Sequence, residues 1–236
     1  MKFLAIETST DRLSLAVQNG AHFGAFEGAG GAQSSATLLP AVMALLQQAQ
    51  LPLGDLDAIA FGRGPGAFTG LRTACAVAQG LALGANLPVL PLDTLLGVAE
   101  AARTISERVL VLMDARMHQV YGAAYEWQDT QWRCVQAPYL QHPEAVGLPA
   151  GWHAPTCVIA GNALTSPDLQ DSLHHLQSAQ AQTVELWPQA TPLLRLAHAA
   201  WLRGEAVAAD QALPLYVRDH VALTTAERLA LKVTSA

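Results

Sequence analysis

The stretch KFLAIETSTDRLSLAVQNGAHFGAFE, residues 2–27, decides how the rest of the chain is read. Apolar runs at Lys2–Thr8 and Arg12–Gln18 are split by the turn formers Ser9–Asp11, and Asn19-Gly20 separates the second run from a third at His22–Glu27. Asn-Gly between two such runs is a hairpin signal, so the segment predicts three strands in a meander. Beyond the loop Gly28–Gln33, Ser34–Ala49 has helical spacing and is stopped by Leu51-Pro52-Leu53-Gly54. A strand at Asp57–Arg63, a helix from Ala67 to Leu83, a strand at Pro88–Leu92 and a helix at Thr94–Arg103 follow. Three strands and then alternating helix and strand mix an antiparallel edge with right-handed crossovers on a parallel core, an α/β fold.

The pattern then restarts. Arg108–Met113 reads as a buried strand, Asp114–His118 as a turn, and Gln119–Tyr125 and Trp132–Pro138 as two more strands. Further on come a strand at Cys157–Ala160, a helical stretch at Pro167–Gln177, a strand at Thr183–Trp187 and a helix at Pro192–Arg203. Each half opens strand-turn-strand with an acid at the first bend, Glu7 in one and Asp114 in the other. Two lobes of related topology are expected, an N-terminal lobe over residues 1–105 and a C-terminal lobe over 106–236. The terminal stretch from Ala212 is free to return to the first lobe.

Composition narrows the function. Of the 236 residues 51% are apolar and only 14% charged, which excludes disorder and implies that much surface is hidden, against a partner or within the fold. The net charge is −6, from 19 acidic and 13 basic groups, and the only lysines are Lys2 and Lys232, which argues against a stand-alone nucleic-acid binder. Cys75, Cys134 and Cys157 fit neither a disulfide framework nor a zinc site, as suits a reducing cytosol. The apolar start stops at Glu7, too short for a secretory signal, and Ala74–Leu92 is interrupted by Gln79, Asn86, Pro88 and Pro91. The expected address is cytoplasmic, with no membrane partner.

The most unusual stretch is GRGPGAFTGLR, residues 62–72, between a strand and a helix. It reads either as a phosphate cradle at a helix N-terminus or as a tight turn in which glycine permits close packing. The P-loop pattern fails for want of a lysine, and G-x-G-x-x-G fails because Thr69 stands where a third glycine belongs. Along the helix Gly66, Gly70, Ala74 and Ala78 recur every fourth residue with Thr73, Val77 and Leu81 beside them, a nearly flat face that serves an interface or a core. The preceding helix carries two apolar stripes, Leu38–Val42–Leu45–Ala49 and Leu39–Met43–Leu46, more than one sheet contact needs. Either one stripe faces outward or the helix is sandwiched. Pro40 is expected in its first turn.

No metal site or catalytic triad is legible. The adjacent His174 and His175 diverge on a helix, and no serine lies in a G-x-S-x-G elbow. Glu7 and Asp114 invite a nucleotide or metal reading, yet both bends lack glycine, and Val158–Ala163 has the single Gly161 where an adenosine-binding turn usually has two. Three weakened positions point to lost or marginal ATP binding and to no cofactor.

Three stretches together, Leu4–Thr10, Gly64–Arg72 and Met113–Met117 with Val120-Tyr121, resemble the TsaB (YeaZ) family, and the resemblance runs from Met1 to Arg218. It implies the two-lobed, ribonuclease H-like fold of the actin, sugar-kinase and chaperone ATPase superfamily, with mixed sheets. It also implies a non-catalytic subunit that binds and activates the related catalytic subunit TsaD and works with the ATPase TsaE. Their assembly transfers a threonylcarbamoyl group onto N6 of the adenosine beside the anticodon in tRNAs reading ANN codons, so tRNA is met through the complex. TsaD carries an H-x-x-x-H metal pair on its first helix; here the region around Ser34 and Leu38 has no histidine. In the family the first two helices form the docking face, also used for self-pairing into a homodimer, which carries over to Leu38, Val42, Leu45, Gly70, Thr73, Ala74 and Val77. Ala67 departs from the family's usual serine and forgoes a helix cap worth ~1 kcal/mol. The rival expectation is an active ATP-dependent kinase of the same superfamily, with Glu7 and Asp114 around metal and phosphates.

Overall fold

The computed structural model describes residues 1–31, 34–178 and 181–218. β1 (Lys2–Glu7) pairs antiparallel with β2 (Arg12–Asn19), and β2 pairs antiparallel with β3 (His22–Ala29), so the opening meander forms as its turn residues predict. On its other edge β1 runs parallel to β4 (Ala58–Gly64), which runs parallel to β5 (Val89–Asp93), giving the order β3-β2-β1-β4-β5. The second half builds β6 (Arg108–Asp114), β7 (Val120–Gln128), β8 (Gln131–Gln141), β9 (Val158–Ala160) and β10 (Gln182–Val184) into the order β10-β9-β6-β7-β8. Read from its other end, that sheet repeats the first strand for strand, antiparallel on one side of the central strand and parallel on the other.

Strand alternation assigns two different faces to the first sheet. Leu4, Ile6, Leu15, Val17, Ile59 and Phe61 meet α1 (Ser34–Gln48) and α2 (Phe68–Ala85) on one face. On the other, the smaller Ala5, Ala16, Ala58 and Ala60 join Phe3 and let α5 (Ala190–Leu202) approach through Leu193, Leu194 and Ala197. The chain thus returns to the first sheet at Ala190, well before Ala212. In exchange α3 (Thr94–Ala102) packs Leu95, Val98 and Ala99 onto Val109 and Val111 of the second sheet. Each lobe lends the other a helix, so a cut at residue 105 separates the sheets but not the cores.

The buried Glu100 of α3 pins this exchange. Its carboxylate accepts from Arg195 Nε of α5 at 2.6 Å, from Trp132 Nε1 of β8 at 2.8 Å and from Arg103 Nε at 3.3 Å. Three charge-assisted or indole donors satisfy a charge that would otherwise be costly to bury.

Two local expectations fail. Within Pro167–Gln177 only α4 (His174–Ser178) begins as α-helix, because the preceding chain closes single turns such as Leu169 N to Ser166 O and His174 N to Asp171 O around the buried Leu169 and Leu173. Pro40 lies inside α1, past its first turn, at an exposed position. Among the described residues no helix is long and apolar enough to cross a membrane.

Candidate functional site

The glycine loop is fastened to the β1–β2 turn. Ala67 N donates to Ser9 O at 2.7 Å, Gly64 N to Thr94 Oγ1 at 3.1 Å, and Thr8 Oγ1 to Gly70 O at 2.7 Å. A Cβ at Gly66 would collide with Ser9, one at Gly70 with Thr8 O, and one at Gly62 with the Glu7 carboxylate. The glycines therefore serve close packing, and the Gly64 and Ala67 N–H groups are spent within the fold instead of offered to a phosphate. Ala67 is the residue capping α2 and supplies no side-chain hydrogen bond, as its sequence predicts.

Glu7 is buried beneath this junction, accepting from Ser9 N at 2.7 Å and Thr94 Oγ1 at 3.2 Å. Burial pushes its carboxyl above the ordinary 4.5, against the opposing pull of hydrogen bonds from Ser9, Thr94 and Thr8. The folded chain then holds this proton more tightly than the unfolded chain. Linkage makes stability fall as pH climbs from 4.5 through the raised value and level off above it. A neutral Glu7→Gln variant, able to accept from Ser9 and donate to Thr94, escapes this loss. Its stability advantage in urea unfolding is expected to widen over that window; an advantage constant from pH 4 to pH 8 would contradict the account.

Between the lobes lies a cleft of about 520 Å³, with Ser9–Asp11 on one wall, Asp114, Asn162, Thr165 and Ser166 on the other, and Trp187 and Tyr216 among its lining groups. Asp114 lines it, but its carboxylate accepts from Arg116 N at 2.7 Å and Ser166 Oγ at 3.0 Å and pairs with Arg116 Nη1 at 3.6 Å. Gly161 does not line it: with φ +133° it lies against Leu112 O, donates its N–H to Val184 O and accepts at its own carbonyl from Leu186 N. Of the three positions singled out in the sequence, only Asp114 reaches the cleft, held beside Gly161 because Asn162 Oδ1 accepts from Asp114 N at 2.9 Å. Among the described residues no group of His, Cys, Asp and Glu could hold a metal ion.

One wall comes from the stretch after Ala212, whose return to the first lobe the sequence left open. Residues 213–218 cross from the first lobe to the second, where Leu215 N donates to Arg63 O and Arg218 bonds Ala115 O and Gln119 Oε1 of the β6–β7 turn. Such long-range contacts leave no local pattern. The chain beyond Arg218, part of the terminal stretch expected to return, lies outside the described residues.

Burial removes five of the seven expected docking residues from the surface. Leu38, Val42 and Ala74 are fully buried against β1, β2 and β4, Leu45 is 4% exposed, and Gly70 is buried under Thr8. Thr73 and Val77 are half-buried. The stripe of small residues packs on its own sheet, and the opposite faces are free: Leu39 is 46%, Met43 50% and Leu83 79% exposed, and Thr69, Ala76, Gly80 and Gly84 are exposed with them. Both stripes of α1 were legible, but the core takes the first stripe together with Leu46 of the second, which is 3% exposed, and leaves only Leu39 and Met43 outward. A Cβ at Gly80 or Gly84 would meet nothing within 4 Å, so among the described residues no packing contact requires either glycine.

A duplicated sheet of this order with an interlobe cleft defines a two-lobed α/β protein with mixed sheets, here with tightly packed turns at the cleft. The family model described as TsaD, tRNA N6-adenosine threonylcarbamoyltransferase, matches residues 30–225. The Escherichia coli K12 protein called tRNA threonylcarbamoyladenosine biosynthesis protein TsaB is 34% identical over 232 residues, covering 94% of this chain and 96% of that one. The structure of YeaZ from Pseudomonas aeruginosa is 37% identical with a TM-score of 0.79, over 91% of this chain and 99% of that one. A second Pseudomonas aeruginosa structure, described as an uncharacterized protein with similarity to peptidase YeaZ, is also 37% identical, with a TM-score of 0.81 over 92% and 99% of the two chains. The chain belongs to the TsaB (YeaZ) family of tRNA threonylcarbamoyladenosine biosynthesis proteins, within the wider group that the TsaD model describes.

Proposed function

We propose that the chain is a non-catalytic subunit that binds and activates a TsaD-like catalytic subunit through the outward face of α1 and α2. The partner performs the threonylcarbamoyl transfer to adenosine N6, a TsaE-like ATPase joins the assembly, and tRNA is engaged through the complex in the cytoplasm. The observation that carries this reading is the free face itself. Interior glycine costs a helix about 1 kcal/mol relative to alanine, and among the described residues Gly80 and Gly84 have no neighbour to account for it. A flat surface flanked by Leu39, Met43 and Leu83 admits another helix pair at close range. The same surface suits a second copy when the partner is missing, so homodimer and heterodimer compete.

The kinase reading is less well supported, because Gly64, Ala67 and Gly161 spend their N–H groups within the fold and the Asp114 carboxylate is already bonded. Purified chain is expected to release no phosphate from ATP above background, and Asp114→Asn to leave tRNA modification by the reconstituted assembly within about twofold. Robust ATP turnover by the chain alone, lost in Asp114→Asn, would establish the rival. Transfer to tRNA should require both subunits; full transfer by the TsaD-like subunit alone would exclude an activating role.

A further inference from the structure

Most arginines among the described residues pair with a carboxylate, but Arg12, Arg72 and Arg218 do not. Arg218 is spent on Ala115, Met117 and Gln119, and Arg12 on β2 lies over the Trp187 ring. Arg72 is different. It stands exposed on α2, one turn before Ala76 and one after Thr69. Its guanidinium carbon is 3.5 Å from the Phe68 ring centroid, and its Nε donates to Tyr216 Oη at 3.1 Å, with the Phe68 and Tyr216 rings 5.1 Å apart.

The stack fixes a side chain that would otherwise lose much conformational freedom on binding, while both terminal nitrogens have no hydrogen-bond partner among the described residues. Arg72 shares the outward stripe of α2 with the exposed Thr69, Ala76, Gly80 and Leu83, and its platform residues Phe68 and Tyr216 line the adjoining edge of the cleft, so the fork stands where the helix face meets the cleft. A planar, pre-oriented guanidinium matches a carboxylate bidentately, which an ammonium cannot do.

Resting on the docking reading above, we propose that Arg72 is a preset anchor at the rim of the α1–α2 face, built to receive a carboxylate side chain of the TsaD-like partner. The Phe68–Arg72 pair of the glycine motif thereby has a role that loop packing does not give it. Tyr216 is the positioning residue: it holds the fork without touching the partner.

Titration calorimetry of the full chain with the TsaD-like subunit tests this. Arg72→Gln is expected to weaken the complex by about 30-fold and to flatten its salt dependence. Tyr216→Phe should cost about 3-fold with salt dependence kept. Arg12→Gln, removing the other exposed unpaired arginine, should leave affinity unchanged. Arg72→Glu should be rescued by an acid-to-lysine change in the partner, and millimolar ATP should not compete. Unchanged affinity and salt slope in Arg72→Gln, with wild type binding normally and circular dichroism confirming the fold, would overturn the anchor. Competition by ATP would also overturn it, by making the fork a phosphate site. Failure of the wild-type chain to bind at all would overturn the docking reading together with the anchor.

Discussion

Ala76→Arg is expected to melt like the wild-type chain and yet to lose affinity for the TsaD-like subunit by roughly 100-fold or more. Ala76 is exposed at the centre of the free face of α2, so the added side chain finds solvent in the isolated protein. In a complex that brings helices together over Gly80 and Gly84, the same guanidinium would be desolvated without a partner. Ala74→Arg, two residues earlier, should behave in the opposite way. Ala74 is fully buried among Leu38, Val42 and Phe61, and an arginine there overpacks the core and strands a charge, a cost of several kcal/mol. It should be insoluble or unfolded, and binding should be unmeasurable. Circular dichroism melts combined with analytical ultracentrifugation separate the two outcomes. A soluble Ala74→Arg chain that merely fails to pair would return the docking face to the stripe that the structure buries.

Gly70→Ala carries the second large effect. The new Cβ would fall on the Thr8 carbonyl, a backbone atom at the turn between β1 and β2, and no rotamer change relieves such a contact. Thr8 Oγ1 also donates to Gly70 O at 2.7 Å, so movement of either segment breaks the bond that seals the loop. A loss of about 3 kcal/mol is expected, a fall in melting temperature on the order of 6–12 °C for a chain of this size. Gly80→Ala is the counterpart. With open space around it, the substitution should stabilise the isolated helix by about 0.5–1 kcal/mol while weakening partner binding. A Gly70→Ala chain as stable as wild type would show that the glycine motif does not fasten helix to turn.

How much of this was legible depended on range. The meander from Lys2 to Glu27 and its restart at Arg108 were readable because apolar runs, Asn19-Gly20 and the acid-bearing bends are local signals. The swap of α3 and α5 between sheets was not, since it follows from Ala5, Ala16, Ala58 and Ala60 making room on one sheet face, a property of four positions spread over three strands. The glycine motif was correctly marked as unusual, and the close-packing reading offered for it agrees with Ser9 and Thr8 beneath it. The recurrence of Gly66, Gly70, Ala74 and Ala78 left interface and core both open, because it says that something approaches closely without saying whether that is a sheet or a partner; the resemblance, not the spacing, put Gly70 and Ala74 on the docking face. Only the surroundings of Gly70, crowded, and Gly80, empty, tell the two faces apart. Arg72 closes the motif the sequence marked, but its role was not legible, because its platform is completed by Tyr216 from the far end of the chain.

Hydrogen–deuterium exchange of the full chain, alone and saturated with the TsaD-like subunit, bears most directly on the claim that this protein works through a helix face and not through its cleft. Protection is expected across residues 36–48 and 69–84, with the cleft walls at Ser9–Asp11 and Asp114–Arg116 exchanging as in the free chain. Protection confined to those walls, with both helices unchanged, would contradict it.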